Sequence, residues 1–205
     1  RWISAAAHRP LPIGPLWNQH VGKLASWLGA RQVGSAAWRM GGASGIEADI
    51  LLPKKDNRRL WTGILERGLT VLHFVVLHLK EERALFEPLA TQIISSLRFP
   101  PEVAGVLTNE DGLPLPPGYA RIEPQSILAD IADPTIWRAY DGLSGVDGLQ
   151  AFYLREAPHY GWSVAEYAPF PSPAELGFAR LKLIKEDREV MLGIMPYPGE
   201  EKDSL

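Results

Sequence analysis

The chain has no cysteine. That absence excludes a disulfide framework, a thiolate zinc site, an iron–sulfur cluster and a cysteine nucleophile, and it leaves the redox compartment open. Long apolar runs are missing too. The longest, Leu69–Leu79, spans 11 residues and contains two histidines, whereas a membrane-spanning helix needs ~20. It predicts a buried strand and no integral membrane segment. Charge of one sign is not in excess: the net value is −3 over 205 residues, so the chain carries no overall electrostatic signal for nucleic acid. The Gly-x-x-x-x-Gly-Lys-Ser/Thr loop, the Gly-x-Gly-x-x-Gly fingerprint and the Gly-x-Ser-x-Gly elbow are all absent, and no cofactor is expected. No basic, apolar and small-residue succession of a secretory leader occurs in the first 30 residues.

What remains is an ordinary globular composition, 46% hydrophobic and 22% charged, able to bury a core. Proline marks the organisation: seven of 18 lie between residues 99 and 134. Turn and extended-chain chemistry there predicts a linker at 100–118. It separates a domain at 1–99, with a Pro-rich amino-terminal arm, from one at 119–198, and a polar tail at 199–205 is expected to be disordered. Charge shifts at the same place, from +6 over residues 1–98 to −9 over 99–205.

In the first half, residues 16–30 place Leu16, His20, Leu24, Trp27 and Leu28 on one helical stripe. Strands follow over 32–40, 45–52, 58–67 and 69–79. The second alternates Glu47, Asp49 and Leu51 against Ile46, Ala48 and Ile50, which predicts one wet face. The fourth is apolar on both faces, which predicts a central strand. A second helix over 82–97 stacks Leu85, Leu89, Ile93 and Leu97 at spacing four as its core stripe. In the second half, strands are predicted over 127–131 and 135–141, a helix over 145–160 closed by Pro158, a strand from 161, and a hairpin of 176–184 with 189–195. The pattern predicts an α+β fold of two small domains, each a mostly antiparallel sheet packed against one or two helices.

Several groups are candidates for chemistry. His73 and His78 are five apart in a strand and so lie on opposite faces, unable to share a metal ion. His8, His20 and His159 fall in other elements, and no ligand spacing for a metal is present. Glu47 and Asp49 project from one strand face about 7 Å apart, a separation that suits paired acid and base work, although a solvated face is the simpler reading. The sharpest charge feature is the turn Lys54-Lys55-Asp56-Asn57-Arg58-Arg59, with Arg39 and Arg67 as possible neighbours. It suits an acidic partner or an anionic surface, or it blunts a sheet edge. Of seven tryptophans, Trp27, Trp38, Trp61, Trp137 and Trp162 sit in periodic elements and read as core. Trp2 and Trp17 flank a Pro-rich stretch and could anchor a partner.

The segment Leu72–Phe99, a strand LHFVVLHL followed by a helix and IISSLRF, resembles the carboxy-terminal signature of PsbP-like α/β/α sandwich domains. Those domains end in a long helix and a Ser-Leu/Phe-x-Phe sequence, here Ser96-Leu97-Arg98-Phe99. The resemblance covers about residues 16–99. The second half, with Phe152-Tyr153, Gly161-Trp162 and a basic hairpin from Phe178 to Ile194, is similar to a widespread bacterial module found in lipoproteins and exported proteins. These likenesses imply a non-enzymatic accessory or binding protein, with an exported or envelope-associated lean. The expectation is action through protein–protein contacts, with no metal and no nucleic acid, and with Lys54, Lys55, Arg58, Arg59, Trp2 and Trp17 as partner-binding candidates. The alternative is a small-ligand carrier or enzyme using a cleft between the domains, lined by Trp137, Tyr140, Tyr153, His159 and Tyr160.

Overall fold

A computed structural model of the chain describes residues 14–40, 42–53, 58–99, 105–127, 129, 132–170 and 178–196. The fold is α+β with antiparallel sheets, and the chain divides into two units, residues 1–102 and 103–205. Trp2, Lys54, Lys55, most of the predicted strand at 127–131 and the tail at 199–205 lie outside the described residues, as does the side chain of Trp27.

The first unit begins with helix α1 (Gly14–Leu28) and continues as a meander of β1 (Arg31–Met40), β2 (Ala43–Leu51), β3 (Arg58–Arg67) and β4 (Thr70–Leu79). A 3₁₀ turn, Lys80–Glu82, then leads into helix α2 (Arg83–Ser96). The sheet order is β1-β2-β3-β4, every neighbour antiparallel. Strand alternation sends side chains to two faces, and each face receives one helix. On the first, Leu24 of α1 packs with Ile50, Leu52 and Leu60, and the His20 ring nitrogen Nε2 lies 2.7 Å from the Thr62 hydroxyl. That hydroxyl donates to the Phe74 carbonyl at 2.7 Å, so His20 is the donor of the pair. On the second face, Ile94 of α2 packs with Ala43, Trp61 and Leu65, and Phe86 and Ala90 join them.

Two features of this unit differ from the sequence reading. The fourth strand, with the composition of a central strand, stands at the edge of the sheet. The wet face expected for β2 is roofed by α2 instead, so Glu47 and Asp49 are only half-exposed. Close approach is built into this face by glycine. A Cβ at Gly63 would overlap the Phe74 ring, which stands edge-on to Trp38 and Trp61 at 4.9 Å from each.

The second unit starts earlier than the prolines suggest. Residues 107–115, read as linker, form a small hairpin of β5 (Leu107–Thr108) and β6 (Pro114–Leu115). Asn109 makes its turn by accepting from the backbone of Asp111 and Leu113 at 3.0 and 2.9 Å, the local bonding that suits Asn to turns. The hairpin is tied to the buried Trp162, whose indole N–H donates to the Gly112 carbonyl at 3.0 Å. Next come β7 (Ala120–Ile122) and β8 (Ala139–Asp141), paired with each other. Of the strand predicted at 135–141, residues 139–141 form β8, and the stretch before it opens with a 3₁₀ turn, Pro134–Ile136. Pro134 starts it, and Asp133 caps it by accepting from Thr135. Helix α3 (Val146–Glu156) then buries Phe152 and Tyr153, and a 3₁₀ turn, Ala157–Tyr160, takes up Pro158 in its first turn, where its missing N–H costs nothing. A sheet of β9 (Ser163–Ala168), β10 (Ala179–Lys185) and β11 (Arg188–Ile194) completes the unit in the order β11-β10-β9.

Candidate protein-interaction surface

The residues singled out by sequence scatter. Arg58 and Arg59 open β3, exposed and half-buried respectively, and pair with Leu79 and His78 at the carboxyl end of β4. Arg39 and Arg67 do not join them. Arg67 ends the same ten-residue strand, and Arg39 on β1 pairs with Ser44 of β2, which pairs with Glu66 of β3, so both lie about 30 Å from Arg58 along the strands. Trp17 is not an exposed anchor: at 5% exposure it belongs to the core beneath α1, its ring 6.0 Å from His20. Trp137, read as core, is 43% exposed instead.

The histidines occupy opposite faces of β4 as the spacing requires, His73 exposed and His78 buried against Phe86 at 4.2 Å. No group of His, Asp and Glu among the described residues is placed to hold a metal ion. Among the aromatic candidates for a cleft, Tyr153 is core and the Tyr160 hydroxyl donates to the Val106 carbonyl at 3.3 Å. Both are engaged within their own unit.

Of the two carboxylates, Glu47 has its partner within the sheet and Asp49 has one on helix α2. Glu47 accepts from the Trp61 indole at 2.9 Å. Asp49 on β2 is ion-paired with Arg83 of α2, and Arg83 also bonds Glu87 one helical turn on, at 3.0 Å. Burial beneath the helix holds the Glu47 carboxyl above its ordinary range. The Trp61 bond opposes that shift and the charge of Asp49 adds to it. This arrangement is a polar staple between helix and sheet.

That staple sets the rotation of α2. Each residue advances ~100° around a helix. With Phe86, Ala90 and Ile94 against the sheet and Arg83 and Glu87 turned toward β2, the stripe Leu85, Leu89 and Ile93 turns the other way, toward the open side of β4. These three are 74%, 60% and 60% exposed. On the opposite face of the same edge, Val75 and Leu77 of β4 are 49% and 54% exposed. The edge strand is thus flanked by apolar side chains on both sides.

Protein edges usually carry some protection, and the other edge of this sheet does. Strand β1 has a register break between Gln32 and Gly34 and shows Arg31 and Arg39 to solvent. Strand β4 pairs with β3 without any break over all ten residues, and it has no Pro, Lys or Arg.

No family model, curated protein or solved structure matches the chain. Within the described residues, no helix is long and apolar enough to cross a membrane. The surface around β4 therefore stands on its own geometry. Sequence reasoning missed it because α2 carries two apolar stripes of equal period, and the one assigned to the core is the one left outside. The signal that could have found it is the strand itself, apolar on both faces yet followed in the chain by a helix and no further strand of the same sheet.

Proposed function

We propose that the protein is a non-enzymatic binding or accessory module that acts through protein–protein contact at the β4 edge. The observation that carries this reading is a strand of central-strand composition standing at the edge of a sheet. Among the described residues no strand pairs with its outer edge, and its side chains Val75, Leu77 and Leu79 are exposed. Exposed apolar patches rimmed by polar groups mark interaction surfaces, and strand addition to an open edge supplies backbone hydrogen bonds with side-chain specificity. The likeness of residues 72–99 to PsbP-like accessory domains supports the same reading. Of the basic residues singled out in the sequence, Arg58 and Arg59 pair with Leu79 and His78 at one end of this edge and would form part of its rim.

The test is capture of defined binding partners by the tagged chain from its own cells. It is run for the wild type, for Leu77→Lys and Leu89→Glu, and for Leu143→Glu, whose site in the second unit is fully exposed. The reading expects one stoichiometric partner, another copy of the chain included, that is lost with the first two substitutions and kept with the third. A partner equally retained by all three would place contact elsewhere and overturn it.

A further inference from the structure

The β4 edge also indicates what covers it. Resting on the reading above, we infer that the partner is a second copy of this chain, joined antiparallel, β4 to β4, across a two-fold axis perpendicular to the sheet. The pairing would make one continuous eight-stranded sheet. In such a pair the residues directly opposite each other point to the same face, so their numbers must be of equal parity. Centring on Val75 satisfies this: Val75 meets its own copy, His73 meets Leu77, and Val71 meets Leu79. The exposed apolar side chains of one face then become a single stripe running through both copies.

The other face closes at the same time. Both copies of α2 lie on it, each with Leu85, Leu89 and Ile93 turned toward the open edge, so the two stripes face one another across the axis as antiparallel helices. A foreign strand alone would fill the edge and leave these three residues bare. A second copy supplies the strand and the helix together, which is the self-complementarity an isologous interface demands.

Charge and area agree with this. The same register sets the Lys80–Glu82 turn of one copy, with Glu81 and Glu82 exposed, opposite residues 68–70 of the other, beside Arg67. This brings two acidic residues, Glu81 and Glu82, and one basic residue, Lys80, near Arg67 at both ends, a net opposite charge of the kind complementary interfaces arrange. Val75, Leu77, Leu79, Leu85, Leu89, Ile93 and Leu97 together offer on the order of 400 Å² of apolar side chain per copy. Adding the strand edge and the polar rim brings this toward the ~800 Å² per partner of stable complexes. Nine paired residues, 71–79, supply about nine backbone hydrogen bonds, a typical number for such an interface.

The chain lacks cysteine, so single-cysteine variants report contact without background. The experiment measures sedimentation of the wild type and of Leu89→Glu, with disulfide cross-linking of Val75→Cys, Leu77→Cys and Leu143→Cys under mild oxidation. The inference expects a dimer for the wild type and a monomer for Leu89→Glu. It expects cross-linking at Val75, where the two copies of the residue are adjacent, and little at Leu77, whose copies lie about 13 Å apart along the strands. Leu89 is exposed, so its replacement leaves the fold intact, and circular dichroism checks this. A wild type that stays monomeric up to about 0.1 mM, or a dimer that cross-links nowhere along β4, overturns the self-pairing. Capture of a different protein, lost with Leu89→Glu, would then leave the binding reading standing while removing the second copy as its partner. A segment of the same chain covering the edge would give a monomer and no capture, and both readings would fall.

Discussion

Glu47 and Gln150 show two ways in which a polar side chain tolerates burial. Glu47 has one hydrogen bond and a carboxylate neighbour, and its folded pKa lies above its ordinary 4.5 because desolvation dominates. The folded state therefore holds the proton more tightly than the unfolded state. Ionisation costs stability as pH rises from the unfolded value through the folded one, and that cost persists above it. Glu47→Gln keeps an acceptor for the Trp61 indole and removes the charge. It should raise the thermal midpoint at pH 7 and converge with the wild type near pH 4, as melting curves at the two pH values would show. Gln150 is the opposite case. It is fully buried, yet its oxygen accepts from the Tyr167 hydroxyl at 2.7 Å and the Phe170 N–H at 3.0 Å. Its nitrogen donates to the Phe170 carbonyl at 2.9 Å and toward Val146 and Asp147. Gln150→Leu fits the space and strands these partners, a loss on the order of 3 kcal/mol. Urea unfolding of the second unit measures it.

At the scale of elements, most of the strands of the first unit were legible, because period-two alternation and turn residues state them directly. The orientation of α2 was not. Leu85, Leu89, Ile93 and Leu97 form one apolar stripe at spacing four and Phe86, Ala90 and Ile94 form another beside it, and a hydrophobic period cannot choose between them. The choice is made by tertiary partners: Phe86 nests against Trp61 and His78, and Arg83 reaches Asp49. The strand expected at 135–141 forms only at Ala139–Asp141, since Pro134 and the Asp133 cap favour a 3₁₀ turn before it. Trp61, Phe74 and Gly63 hold β3 and β4 together beneath α2. Gly63→Ala pushes a methyl into the wedged Phe74 ring and should cost about 2 kcal/mol. Gly34→Ala, with open space around it, should change stability by less than about 0.5 kcal/mol. Denaturant midpoints of the two variants, compared with the wild type, check this contrast.

For the whole molecule, sequence foretold an α+β chain in two units of opposite charge, but it placed contact in the basic turn and the amino-terminal tryptophans. The structure puts Trp17 in the core and, among the described residues, leaves the apolar edge of β4 open, a feature that only sheet order reveals. If that edge is the contact face, folding and assembly are linked, and anything that binds the folded state raises its apparent stability. The thermal midpoint should then increase with protein concentration for the wild type and not for Leu89→Glu, as scanning calorimetry at concentrations a hundredfold apart would show.

Hydrogen exchange along β4 tests the central claim most directly. The outward N–H groups of an unpaired edge strand exchange freely, whereas those of a paired strand do not. The account predicts that β4 amides gain protection as concentration or partner occupancy rises, that Leu89→Glu abolishes the gain, and that β1 at the other edge does not change. Amides of β4 that exchange as fast as those of β1 under every condition would contradict it.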